Sequence, residues 1–169
     1  MLKGFITNLG KYNEGELIGK WIQFPIDEEE LEEVFAEIGI SDEPDEDGVY
    51  YEEYFFTDWE CPVDLDLGEY ENIERVNEIA EMLEDDRFKA ACEYFGLSDA
   101  LEMNLEDVIL YQDIENCFDL GYYIAHECGL FHNVPEDVER YFDFDSYGRD
   151  ININAHGGFT SYGWMEYIG

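Results

Sequence analysis

The sequence predicts an α+β fold, arranged as an elongated chain of three small modules. Strand-like alternation opens the chain, helical periodicity fills its middle, and the last third mixes both patterns. Apolar residues make up 46% of the 169 residues and aromatic residues 17%, which is enough material for packed cores. The chain is therefore foldable despite a formal net charge of −36.

The first module, residues 1–62, is predicted to be β-rich with one acidic helix. Alternating side chains predict strands at residues 2–8 and 17–24, joined by a turn that contains Gly10 and Gly15. This arrangement is typical of a hairpin or a sheet edge.

The helix of this module is predicted to begin at Asp27, an N-cap residue followed by three glutamates. Its apolar residues recur at helical spacing until Gly39. They are Leu31, Val34, Phe35 and Ile38. Residues 41–48 are predicted to form an acidic loop, and residues 49–59 have β character.

The middle module, residues 63–106, is predicted to be helical. One apolar stripe runs to Leu83, a second ends at Gly96, and Ser98 is the predicted cap of a short third helix. Small helices of this kind bury their apolar stripes against one another, so we expect a bundle.

The last module, residues 107–169, is predicted to be α+β. A strand at residues 108–111 precedes a helix at residues 116–128, and further strands are predicted at residues 150–154 and 159–167. The turn between the last two strands is assigned to Gly157 and Gly158, and a short helix begins at Pro135.

The charge is the strongest functional signal. The chain has 44 acidic and 8 basic residues, and residues 1–60, 61–105 and 106–169 carry nets of −15, −10 and −11. The acid therefore belongs to the folded surface and not to a detachable tail. Such a field opposes direct binding to nucleic acid.

The amount of charge resembles that of a short DNA duplex. At one charge per about 1.7 Å, 36 charges correspond to roughly 61 Å of duplex. A compact sphere would spread the charge about twofold more thinly than a DNA cylinder does, so the match requires an elongated molecule.

Carboxylates four residues apart on a helix advance about 6 Å, close to two phosphate steps along one DNA strand. Twelve acidic residues are the candidates for a surface that imitates phosphates. They are Glu28, Glu29, Glu33, Glu37, Asp45, Asp47, Glu74, Glu78, Glu81, Asp86, Asp113 and Glu115. The eight basic residues are so outnumbered that each is predicted to pair with an acid inside the protein.

The sequence gives only weak support for a metal site or a catalytic site. The run from Asp143 to Gly148 has acids at the first and third positions of a calcium loop, but Asn154 replaces its bidentate glutamate, so we interpret it as a turn entering a strand. His126, Cys128 and His132 lack the spacing and the fourth ligand of a zinc site. No cofactor, no metal and no catalytic residue is predicted, and the chain is not expected to be an enzyme.

Two blocks carry a resemblance to a known family. The segment from Asn8 to Leu17, followed by Gly19 and Trp21, resembles the N-terminal signature of the ArdA-type antirestriction proteins. Residues 147–150, Tyr-Gly-Arg-Asp, resemble the second block of that family. The resemblance covers essentially the whole chain, more loosely between residues 42 and 110.

The resemblance implies a DNA mimic that occupies the DNA-binding groove of type I restriction-modification enzymes and blocks restriction. Whether it also blocks modification is left open. The resemblance also implies travel on mobile genetic elements and a homodimer formed through the last module. For the dimer interface we choose the apolar residues Val108, Ile109, Leu110 and Tyr111. No direct contact with nucleic acid or membrane is expected.

The expected location is the cytoplasm, because the N-terminus lacks an export signal, no apolar run reaches 18 residues, and the four cysteines form no disulfide-like pattern. Two other hypotheses stay open at this point: an acidic binding module for another basic protein, and an acid-rich hydrolase. A halophilic surface fits poorly with so many Phe, Tyr and Ile residues.

Overall fold

The computed structural model describes residues 1–169 and confirms a mixed α+β fold with two small antiparallel sheets and eight α-helices. The chain divides into two compact units, residues 1–84 and residues 85–169, which we call unit 1 and unit 2. The division into three modules and the elongated shape stay predictions. No helix is both long enough and apolar enough to cross a bilayer.

Unit 1 is built on a three-stranded sheet in the order β2-β1-β3. Its elements are β1 (Leu2–Asn8), α1 (Leu9–Asn13), β2 (Gly19–Phe24), α2 (Glu28–Glu37), β3 (Tyr54–Glu60) and α3 (Ile73–Met82). The predicted hairpin is confirmed, since β1 and β2 pair antiparallel with Leu2 opposite Phe24. The turn predicted between β1 and β2 is wrong. A short helix, α1, begins there, because the Asn8 side chain accepts the Lys11 N–H as an N-cap.

The core of unit 1 lies on one face of the sheet. Leu2 and Ile6 of the central strand are buried there with Phe24 and Phe56 of its neighbours. The helices add their own apolar residues to the buried set. These are Val34, Ile73, Val76, Ile79 and Ala80. The apolar spacing predicted for both helices therefore corresponds to buried faces.

Unit 2 surrounds a second three-stranded sheet in the order β4-β6-β5. Its elements are α4 (Asp86–Phe95), α5 (Leu97–Glu102), a 3₁₀ turn (Leu105–Asp107), β4 (Val108–Tyr111), α6 (Cys117–Glu127), α7 (Glu136–Glu139), α8 (Phe144–Asn154), β5 (Gly157–Thr160) and β6 (Gly163–Tyr167). Met165 packs with Ala90 of α4 on one face of β6, and Trp164 packs with Leu120 of α6 on the other. The sheet is thus covered by helices on both faces.

The largest correction concerns residues 150–154, which belong to α8 and not to a strand. The alternation from Ile151 to Asn154 imitates a strand, but Asp143 accepts the Ser146 N–H and starts a helix instead. The calcium-like run is therefore a helix start. No group of three His, Cys, Asp or Glu side chains is arranged to hold a metal ion.

Smaller corrections concern caps and turns in unit 2. Ser98 is not a cap: α5 follows Gly96, whose φ of 86° is available to glycine, and no side chain caps the helix. Gly157 and Gly158 lie inside β5, and the turn to β6 lies at Ser161 and Tyr162, before Gly163.

Candidate functional site: the carboxylate surface

The carboxylates of this protein lie on its surface without exception. None of the 44 acidic side chains is buried: 37 are exposed and the other seven are half-buried. Unit 1 has 26 acidic and four basic residues, and unit 2 has 18 and four, so their nets are −22 and −14. Each unit therefore presents a strongly negative surface on its own.

Every lysine and arginine forms an ion pair with a carboxylate of the same unit, which confirms the prediction of internal pairing. The eight pairs are Lys3–Glu60, Lys11–Glu14, Lys20–Glu37, Arg75–Glu71, Arg87–Asp85, Lys89–Asp86, Arg140–Asp137 and Arg149–Asp145. Because each cation is paired with an adjacent acid, it offsets the negative charge only locally, and the excess of carboxylates remains.

The first candidate row lies on α2. Asp27 caps the helix by accepting the Glu30 N–H at 2.9 Å, and acids in the first turn suit the positive end of the helix dipole. Glu29, Glu33 and Glu37 follow at intervals of four residues and are exposed. Glu37 also binds Lys20 of the neighbouring strand, with Nζ 2.6 Å from Oε2.

The second candidate row lies on α3. Glu74, Glu78 and Glu81 share one side of this helix and are exposed, while Val76 and Ile79 are buried on the opposite side. The amphipathic sequence thus fixes which side of the helix the carboxylates occupy.

The acidic loop holds two further candidates in a defined turn. The Asp45 carboxylate accepts the N–H groups of Asp47 and Val49, each at 2.9 Å. The hydrogen bond from Val49 is the main reason why the pKa of Asp45 is lowered. Asp45 is therefore held as a carboxylate, with Asp47 exposed beside it.

Unit 2 contributes three candidates. Asp113 and Glu115 are exposed in the connection from β4 to α6. Asp86 is half-buried, and its oxygens bind Lys89 at 2.7 Å and Gln112 at 2.9 Å. Asp86 is thus the one candidate that is half-buried, and the other eleven are exposed.

Further exposed acids, which the helical spacing did not single out, lie beside the twelve candidates. Asp42, Glu43 and Glu46 share the loop of Asp45. The loop has no apolar periodicity, and such segments lie at the surface, so the sequence would have predicted that these three acids are exposed.

The residues chosen for the dimer interface form β4, an edge strand whose only partner is β6. Val108 is buried in the core of unit 2, and Ile109, Leu110 and Tyr111 are half-buried. The strand therefore offers an unpaired backbone edge and only part of its side-chain surface.

A cavity of about 540 Å³ lies beside β3 in unit 1, lined by residues 56–59 and 61–69. Burial raises the pKa of the Cys61 thiol at its wall, which favours the neutral thiol over the nucleophilic thiolate. No histidine lies among its lining residues to act as a base for that thiol.

Comparison with known proteins agrees with the two sequence blocks. No curated protein sequence matches the chain. The model of the family described as antirestriction protein (ArdA) matches residues 5–166, nearly the whole length. The chain therefore belongs to the ArdA family of antirestriction proteins, which counteract restriction-modification systems.

Proposed function

We propose that this ArdA-family protein blocks type I restriction-modification enzymes by imitating DNA and occupying their DNA-binding groove. The observation that carries the proposal is a carboxylate surface in which no acid is buried and every lysine and arginine is already paired. A groove lined with lysine and arginine for phosphates would meet a surface on which 44 carboxylates face only eight cations, each of them paired.

The spacing within the rows supports the same proposal. Glu29, Glu33 and Glu37 on α2 advance about 6 Å per step, as do Glu74 and Glu78 on α3. Two phosphate steps along one DNA strand advance about 6.8 Å. Carboxylates fixed on a helix can therefore meet phosphate-binding side chains without a large rearrangement.

The proposed mechanism is occupancy and needs no bond-making step. Long-range attraction brings the acidic surface to the basic groove, and the bound protein then excludes DNA. Inhibition should saturate at a fixed stoichiometry and weaken as salt screens the charges. The place of action would be the cytoplasm, where these enzymes meet incoming DNA.

The experiment is competition on a purified type I methyltransferase core that holds a fluorescent oligonucleotide duplex. We expect stoichiometric displacement of the duplex, with loss of both cleavage and methylation by the complete enzyme. Tight binding to the enzyme without displacement of the duplex would instead indicate an acidic module that binds another basic surface, and the proposal would be wrong.

We further propose that the protein acts as a homodimer joined through unit 2. Two copies with a net charge of −36 each repel one another, so they can approach only where acids are scarce. Residues 116–135 contain only two acids, and Phe118 and Tyr122 of α6 are 51% and 47% exposed. The centroid of the Tyr123 ring lies 5.2 Å from that of the Tyr111 ring, so one side of α6 adjoins β4.

Sedimentation of a charged variant tests the dimer. Ile109→Glu places a carboxylate on β4 and should give monomers that inhibit more weakly, while Ile153→Glu, at an exposed position of α8, should stay dimeric. A wild-type protein that sediments as a monomer at the concentrations that inhibit would refute the dimer and leave the DNA mimicry intact.

A further inference from the structure

His126 lies in the last turn of α6, is exposed to solvent and contacts three aromatic rings. Its ring centroid is 4.1 Å from that of Tyr122, 5.6 Å from that of Phe131 and 6.0 Å from that of Phe144. The imidazole thus connects α6 with the segment that follows it and with α8.

Both ring nitrogens of His126 have oxygen partners. Nδ1 lies 2.7 Å from the backbone carbonyl oxygen of Tyr122, and Nε2 lies 2.9 Å from a carboxylate oxygen of Glu139 on α7. A carbonyl and an ionised carboxylate can only accept hydrogen bonds, whereas a neutral imidazole has a single N–H. Both contacts are hydrogen bonds at once only when His126 is an imidazolium. Its position at a helix C-terminus favours the same charged form.

The contact with Glu139 matters because α7 has little else to hold it. The helix has four residues, none of which is buried, and Pro135 at its N-cap position provides no side-chain cap. Val138 is 54% exposed and Tyr141, two residues beyond the helix, is 82% exposed. Phe142, three residues beyond α7, packs with its ring centroid 5.1 Å from that of Phe131 and 5.0 Å from that of Phe144. The aromatic contacts therefore hold the ends of the segment, and few apolar contacts oppose local opening of α7 itself.

We propose that His126 is a proton-dependent latch that fastens α7 to α6. When the ring loses its proton, only one of its two nitrogens can donate, so one of the two hydrogen bonds is lost, and the charge–charge attraction between the ring and the Glu139 carboxylate disappears. The four-residue helix α7 is then released, while Phe131 and Phe142 on either side of it stay packed with α8. This device is separate from the antirestriction activity, and its test does not depend on that activity.

The direction of the pH dependence follows from the groups around the ring. The Tyr122 carbonyl is the largest cause of the raised pKa of His126, and the Glu139 carboxylate adds to it. The latch is therefore fully closed below the ordinary value of 6.5 and opens as pH rises through the higher folded value. Asp137 and Arg140, the nearby charges on and just after α7, bind one another.

Further charges stand next to the latch in the sequence. Glu127 follows His126 on α6, and Glu136 begins α7; both are exposed. From α8, the only ring in contact with the imidazole is the uncharged Phe144. Glu139 is thus the one carboxylate that contacts the ring.

Nuclear magnetic resonance of the full chain between about pH 5 and about pH 8 tests the latch. We expect the amides of α7 to shift with the same midpoint as the His126 ring, and to become more mobile above it. Glu139→Gln should lower the midpoint of the ring, and His126→Gln should abolish the inflection in α7. His132→Gln, at an exposed histidine outside these contacts, should leave both unchanged.

Amides of α7 that show no inflection at the His126 midpoint in the wild-type protein would overturn the proposal. An unchanged titration midpoint of the His126 ring in Glu139→Gln would also overturn the proposal. The amides of β5 and β6 report in each variant that unit 2 is folded, so a loss of coupling can be separated from a loss of structure.

Discussion

Gly121 of α6 and Gly148 of α8 lie against one another where the two helices cross. A Cβ atom at Gly121 would overlap the carbonyl oxygen of Phe144, and one at Gly148 would overlap the carbonyl oxygen of Cys117. The two backbones are therefore in direct contact, which only glycine at both positions allows. Gly148 belongs to one of the two blocks that resemble the ArdA family, so part of that block is explained by helix packing.

Gly148→Ala should destabilise unit 2 even though alanine favours helices. The gain in helix propensity is at most about 1 kcal/mol, whereas overpacking against backbone costs about 1–3 kcal/mol or more. Urea unfolding measures the difference, and Gly121→Ala should behave alike. Ile153→Ala, at an exposed position of the same helix, should stay within about 0.5 kcal/mol of wild type. Wild-type stability of Gly148→Ala would show that the crossing is not as close as described.

Asp85 should stabilise unit 2 in a pH-dependent way. It caps α4 by accepting the Arg87 N–H at 2.9 Å, and its Oδ2 lies 2.6 Å from Arg87 Nη2. The guanidinium also donates to the Leu105 carbonyl at 3.0 Å, which ties α4 to the 3₁₀ turn. Asp85→Ala should cost about 1 kcal/mol, the usual value of a lost N-cap. Asp85→Asn keeps the capping oxygen and should cost less.

The sign of this pH dependence is fixed by the lowered pKa of Asp85, to which the hydrogen bonds from Arg87 contribute most. The ionised carboxylate stabilises the folded state above its ordinary value of 3.8, and the contribution is lost as pH falls through the lower folded value. The stability difference between wild type and Asp85→Asn should therefore shrink between about pH 7 and about pH 3. A difference that does not change with pH would contradict the role of the ion pair.

The three carboxylates of the α3 row should contribute together to the displacement of DNA. Neutralising Glu74, Glu78 and Glu81 together to Gln should weaken displacement of DNA about tenfold at low salt, since an exposed ion pair contributes about 0.5 kcal/mol. Each single change should have little effect. The measurement is the competition titration, repeated at rising salt, where the gap between variant and wild type should narrow.

A matched triple variant distinguishes the effect of the carboxylate row on α3 from the effect of the total net charge. Asp99→Asn, Glu102→Gln and Glu106→Gln remove the same charge from exposed positions outside the candidate surface. An equal loss in both triple variants would mean that total charge alone governs inhibition and that the spacing on α3 has no special role.

Much of the local structure was predictable because its causes are local. Asp27 lies next to the N–H groups that it caps, and the apolar spacing along α2 and α3 determines which side of each helix is buried. The pairing of every basic residue was predictable from the composition, since the chain has 44 acidic residues and only 8 basic ones. Glu78 and its neighbours are on the surface for the same reason: a carboxylate is too costly to bury unpaired.

The charge, the start of α2 at Asp27 and the α+β class are thus properties of the sequence by itself, because each depends on composition or on neighbours within a few residues. The tertiary structure decided that the helix capped by Asp143 continues through residues 151–154, since their alternation fits a strand equally well until Gly148 packs on Gly121. It also decided that His126 meets Glu139, because contacts between distant segments depend on how the chain packs and not on local spacing.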